Sequence, residues 1–72
     1  MIDFKRYKRM TNTDTVDAFK MEAFKELDLD DNVETNHLFQ LAWRYGYAGG
    51  YEEVFEHLRD LVGIMRENDP HF

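Results

Sequence analysis

The chain has no cysteine and few hydroxyl side chains, so any chemistry would fall to carboxylates, histidines and backbone amides. His57 carries Glu53 four residues before it and Asp60 three after it, which puts three possible metal ligands on one helical face. Zinc takes three or four placed ligands with outer-shell support, and His37 would have to arrive from another helix. The face therefore reads as a solvated stripe opposite Leu58 and Leu61. Residues 28–39, DLDDNVETNHLF, open like a calcium loop, with Asp28, Asp30, Asn32 and Glu34 at its first, third, fifth and seventh places. The sixth place needs glycine and holds Val33; the twelfth needs a bidentate glutamate and holds Phe39. The stretch reads instead as an acidic loop carrying a helix cap. No nucleophile and base pair can be assembled. The reading is of a non-enzymatic protein with no catalytic residue, metal site or cofactor.

A second candidate is the corner WRYGYAGGYEEV, residues 43–54. Free amides at a helix N-terminus bind anions, and three glycines lie here within five residues. Glu52 and Glu53 already occupy that end, no lysine follows, and the spacing fits neither a P-loop nor a dinucleotide fingerprint. The corner is expected to be structural. Gly46 would end one helix in the left-handed conformation, and Gly49 and Gly50 would allow the reversal into the next. Tyr45, Tyr47 and Tyr51 gather around it, and tyrosine is favoured in protein interfaces.

The elements that must carry these residues follow from apolar spacing. Val16, Phe19, Ala23 and Leu27 recur at steps of three and four, predicting a helix near 13–28 with Thr11 or Thr13 as its cap. Asp31 with Glu34 has capping-box spacing, and a second helix is expected over 33–46. Its main stripe is Leu38, Leu41, Ala42 and Tyr45, with Phe39 and Trp43 as a second ridge. Val54, Phe55, Leu58, Leu61, Val62 and Met65 predict a third helix over 51–67. Arg66 lies near its end, Pro70 beyond it, and Gly63 inside it on a tolerated exposed side. The expected fold is all-α: a basic segment over 1–10, then one domain over 11–72. Its last two helices should form an antiparallel hairpin, with the first packed across it.

Charge divides along the same boundary. Residues 1–10 carry Lys5, Arg6, Lys8 and Arg9 against Asp3, whereas residues 11–72 hold five basic and fourteen acidic groups. The acidic body should repel nucleic acid and anionic membrane, and the basic head could attract either. No apolar run approaches the roughly 20 residues of a membrane span, and no secretory signal is legible. Together with the missing cysteines this fits a cytoplasmic protein.

The run LFQLAWRYGYAGGYEEVFEHLRDLVGI, residues 38–64, resembles short uncharacterised helical proteins of tailed bacteriophages, particularly cyanophages and their T-even-like relatives. The matching residues are Ala42, Trp43, Gly46, Gly50, Tyr51, Glu53, Val54, Leu58, Leu61 and Val62; this chain departs from the pattern with Tyr47 and Gly49, where His and Ser are frequent. The resemblance implies a phage accessory protein acting in a bacterial cytoplasm. The spacing Glu53-x-x-Glu56 is similar to that of helical nucleotide pyrophosphatases, but the second acidic pair those enzymes need is not found, and a chain this small offers little room for a pocket.

The chain holds eleven aromatic residues in 72, and Phe24, Phe39 and Trp43 exceed what one side of a three-helix core needs. Phe39, Trp43, Tyr45, Tyr47 and Tyr51 are therefore read as a protein-interaction surface, for a second copy of the chain or another protein. Two alternatives stand beside that reading. One is an acidic mimic of nucleic acid that inhibits a DNA-binding enzyme. The other is nucleic-acid contact through Lys5, Arg6, Lys8 and Arg9.

Overall fold

The computed structural model describes residues 2–7 and 13–69. Three α-helices follow one another: α1 over Thr13–Glu26, α2 over Val33–Gly46 and α3 over Tyr51–Asn68. A 3-10 turn over Phe4–Arg6 precedes them, and a second over Tyr47–Gly49 joins α2 to α3. There is no strand among the described residues, so the all-α expectation holds. The caps expected at Thr11, and Pro70 beyond α3, lie outside the described residues.

The expected stripes of α1 and α3 are the ones that face the core, but the α2 stripe is rotated: Tyr45 is 66% exposed and Leu41 only partly buried, while Phe39 of the second ridge is buried. Phe19 and Ala23 of α1, Leu38 and Ala42 of α2, and Val54, Leu58 and Val62 of α3 form the core. Val16, Leu27, Phe55, Leu61 and Met65 pack against it partly buried. The closest helix contact is where α2 meets α3. A Cβ on Gly46 would lie 2.6 Å from the Val54 nitrogen and 2.9 Å from the Glu53 carbonyl carbon, so only glycine fits there. This corrects the expectation of a left-handed helix end: Gly46 has φ −101° and ψ −5°, on the right-handed side. The left-handed requirement falls on Gly50 instead, with φ 90°.

α1 ends two residues earlier than its apolar stripe suggests, at a Schellman motif. The Leu29 amide donates to the Phe24 carbonyl at 2.8 Å and the Asp28 amide to the Lys25 carbonyl at 3.2 Å. Asp28 takes the left-handed position with φ 56°. The guanidinium of Arg66, at the far end of α3, donates to the Leu27 carbonyl at 2.8 Å and the Asp28 carbonyl at 3.3 Å. Two carbonyls of the turn that follows α1 are thus satisfied from α3.

The cap of α2 is also shifted from expectation. Asn32, not Asp31, is the N-cap, and Thr35, not Glu34, completes the box. The Asn32 side chain accepts from the Thr35 amide at 3.0 Å, and Thr35 Oγ1 accepts from the Asn32 amide at 3.0 Å. Thr35 is buried, and its hydroxyl donates to the Asp30 carbonyl at 2.5 Å. A short threonine reaches back under the loop, where the longer Glu34 points outward.

The N-terminal segment is more than a basic head. Ile2 and Tyr7 are buried in the same core cluster, and Phe4 packs against it. Phe4 lies 5.7 Å from Phe55 and 6.4 Å from Phe19 between ring centroids. Tyr7 lies 5.5 Å from Phe19 and 5.3 Å from Tyr51. The strap of residues 2–7 thereby covers aromatic surface that three helices alone would leave open.

Candidate protein-interaction surface

The five aromatics expected to form one surface divide into three groups. Phe39 and Tyr51 are core residues, 7% and 3% exposed. Phe39 is enclosed by Phe19 and Phe24, at 6.1 and 6.2 Å. Tyr51 sits against Phe19 at 4.7 Å and Tyr7 at 5.3 Å, and burial pushes its phenol above the usual tyrosine range. Tyr51 cannot be a direct contact residue without opening the fold, and Phe39 offers a partner only its small exposed part. Tyr51 is covered by Tyr7 of the strap, and Phe39 by Phe19 and Phe24 of α1.

Trp43 and Tyr47 form the second group. Trp43 is half-buried and Tyr47 is 54% exposed. Ring centroids run 6.1 Å from Phe39 to Trp43 and 5.5 Å from Trp43 to Tyr47, one row that rises from the core to the surface. The spacing is four residues at each step, and it survives past the end of α2 because Tyr47 keeps helical angles, φ −54° and ψ −44°. Beside this row lies an open groove of about 390 Å³, lined by Val16 of α1 with Phe39, Gln40, Trp43 and Arg44 of α2. Gln40 and Arg44 carry no signal in the sequence pattern, and Val16 belongs there only to the α1 core stripe. The i, i+4, i+8 repeat of 39, 43 and 47 was the available signal.

Tyr45 stands apart. It is 66% exposed, yet lies about 200° around α2 from Trp43 and faces His57 of α3 at 6.2 Å. The corner tyrosines are therefore neighbours in sequence that look to different sides.

The metal and anion candidates take ordinary places. His57 Nε2 is 3.8 Å from Glu53 Oε1, both well exposed. Among the described residues no three His, Asp or Glu side chains are grouped to hold a metal. In the acidic loop Asn32 is committed to its cap and Asp31 accepts from Asn36 Nδ2 at 2.5 Å. At the corner the Glu53 side chain packs against Gly49, its Cβ and Cγ 2.8 Å from the place of an added Cβ. Lys5 and Arg6 are exposed on the strap. Lys8 and Arg9 lie outside the described residues, as does His71.

A small helical trio with a strap over residues 2–7 spans nearly the same stretch as a known family pattern, which matches residues 3–66. The chain belongs to a family of unknown function, DUF8546. No curated protein and no solved structure matches it. The DUF8546 match takes in the strap as well as all three helices' cores, so the aromatic packing of Phe4 and Tyr7 falls within the family's span. No helix among the described residues is long and apolar enough to cross a membrane.

Proposed function

We propose that this DUF8546 chain is a non-enzymatic accessory protein of phage type that binds another protein through the Trp43–Tyr47 row and the groove beside it. The observation that carries this reading is the row itself. A tryptophan held by core contacts on one side leaves its other side at an open groove, with an exposed tyrosine stacked next to it. Interface hot spots are rich in Trp, Tyr and Arg that are fixed before the partner arrives, and Arg44 completes that set here. Trp43 loses little freedom on binding because Phe39, Tyr47 and Tyr51 already position its ring. The resemblance of residues 38–64 to short phage proteins supports a partner in the bacterial cytoplasm.

The test is affinity capture from bacterial lysate with the wild type and with Tyr47→Ser, a change at an exposed position. A protein held by the wild type and lost from Tyr47→Ser supports the reading. Capture that Tyr47→Ser leaves unchanged contradicts it. Light scattering at high micromolar concentration separates the two kinds of partner: a doubled mass lost in Tyr47→Ser makes the partner a second copy, and a monomeric mass makes it a different protein.

A further inference from the structure

A second recess lies away from the Trp43 row, where the strap crosses α1 and α3. It has a volume of about 380 Å³, an apolar floor of Ile2, Phe4, Leu27 and Phe55, and Glu52 and Glu56 on its rim. Glu52 and Glu56 are four apart on α3, so both carboxylates overlook the same floor. Arg59, one turn further, and Glu26 at the end of α1 also line it. The recess thus carries three carboxylates and one guanidinium around its apolar floor.

The strap shows what chemistry this side of the molecule accepts. Ile2, Phe4 and Tyr7 turn inward while Lys5 and Arg6 stay exposed. Tyr7 is fastened by donating its hydroxyl proton to the Glu22 carboxylate of α1. A short apolar and basic segment is therefore already seated beside α1 and α3, and the open recess continues the same floor with the carboxylates of Glu26, Glu52 and Glu56. We propose that this recess docks a short basic–apolar peptide segment of a partner protein. An aromatic or aliphatic side chain rests on Phe4, Leu27 and Phe55, and a lysine or arginine faces Glu52 and Glu56. This surface is separate from the Trp43–Tyr47 row and does not depend on it.

The probe is a fluorescein-labelled peptide of sequence Gly-Lys-Leu-Phe-Lys-Gly, titrated with the full chain and read by fluorescence anisotropy. Two control peptides replace both lysines by glutamate, or Leu-Phe by Ser-Ser. The basic–apolar peptide should bind saturably at low salt, and both controls should bind about tenfold more weakly or worse. Raising salt to about 0.5 M should weaken it strongly, because the pairing is at the surface. Glu52→Gln with Glu56→Gln should cost about fivefold or more in affinity, and Tyr47→Ser should bind as the wild type does. Circular dichroism verifies that the double variant is folded; if it is not, Glu56→Gln alone carries the test with about half the effect in logarithmic terms. No saturable binding up to about 1 mM, equal binding of the glutamate control, or affinity unchanged in the Gln variants overturns the proposal. Loss of binding in Tyr47→Ser also overturns it, by moving the peptide to the aromatic row.

Discussion

Gly46 and Val54 meet backbone to backbone, with 2.6 Å between the place of a Gly46 Cβ and the Val54 nitrogen. Neither side of this contact can move like a rotamer, so adding a methyl group must separate α2 from α3. Gly46→Ala is expected to destabilise the fold by about 2–3 kcal/mol despite alanine's better helix propensity. Gly63→Ala is the matched control, because a Cβ there meets nothing within 4 Å. It should stabilise by up to about 1 kcal/mol. Urea unfolding followed by circular dichroism measures both; equal effects would refute the close-approach account.

Two positive-φ residues should respond in opposite directions. Gly50, at φ 90° and ψ −176°, is in a region that side chains avoid, and Gly50→Ala should cost about 1–3 kcal/mol. Asp28, at φ 56°, is an aspartate where the Schellman motif prefers glycine, at a helix end that disfavours negative charge. Asp28→Gly should raise stability by roughly 0.5–1 kcal/mol, read as a higher urea midpoint at unchanged slope.

Thr35 joins the cap of α2 to the loop before it. Thr35→Val keeps the volume and removes the hydroxyl that bonds Asn32 and Asp30, leaving the Asp30 carbonyl without that donor. The expected loss is about 1–2 kcal/mol. Glu34→Gln, at the position the sequence pattern favoured for the box, should change stability by under about 0.5 kcal/mol.

The strap carries its own pH signature. The hydrogen bond to Glu22 first, then burial and the Glu22 charge, hold the Tyr7 phenol above its usual value of 10.0, while Arg6 opposes them. A raised pKa means the folded state prefers the protonated phenol. That contribution is complete below pH 10 and is lost as pH climbs through the raised value. Unfolding titrations from pH 8 upward should show an alkaline loss of stability that is smaller in Tyr7→Phe, a variant less stable at neutral pH by about 1 kcal/mol. Identical alkaline slopes in the two proteins would separate Tyr7 from the transition.

Much of this architecture could be read from the residues, and the exceptions have physical reasons. The bounds of α2 and α3 were legible because their apolar spacing is regular and glycines stand at the corner. The type of each glycine was not, because backbone approach and handedness leave the same letter in a sequence. Asn32 and Thr35 were passed over for Asp31 and Glu34, since two acceptable capping pairs overlapped by one residue. The largest miss was the strap. Lys5, Arg6, Lys8 and Arg9 drew attention to charge, while Ile2, Phe4 and Tyr7, spaced by two and three, held the information about cover. The cover that Tyr7 gives Tyr51 is therefore not legible from charge, and Phe39 is enclosed by Phe19 and Phe24, although Trp43 and Tyr47 remain where a partner can reach them.

Nucleic acid provides a sharp contrast to protein binding. With a net charge of −6 and only Lys5 and Arg6 placed as exposed cations on the strap, duplex DNA should give no mobility shift at physiological salt. A shift at low salt that Lys5→Ala with Arg6→Ala abolishes would instead favour contact through the basic head.

Site-specific photo-crosslinking tests the central claim most directly. A benzoylphenylalanine is placed at Tyr47 in one sample and at Ile64 in another, two positions each 54% exposed, and both proteins are irradiated in living bacteria. The account predicts one discrete adduct from position 47 and none of that mass from position 64. No adduct from position 47, or the same adduct from both positions, would contradict it.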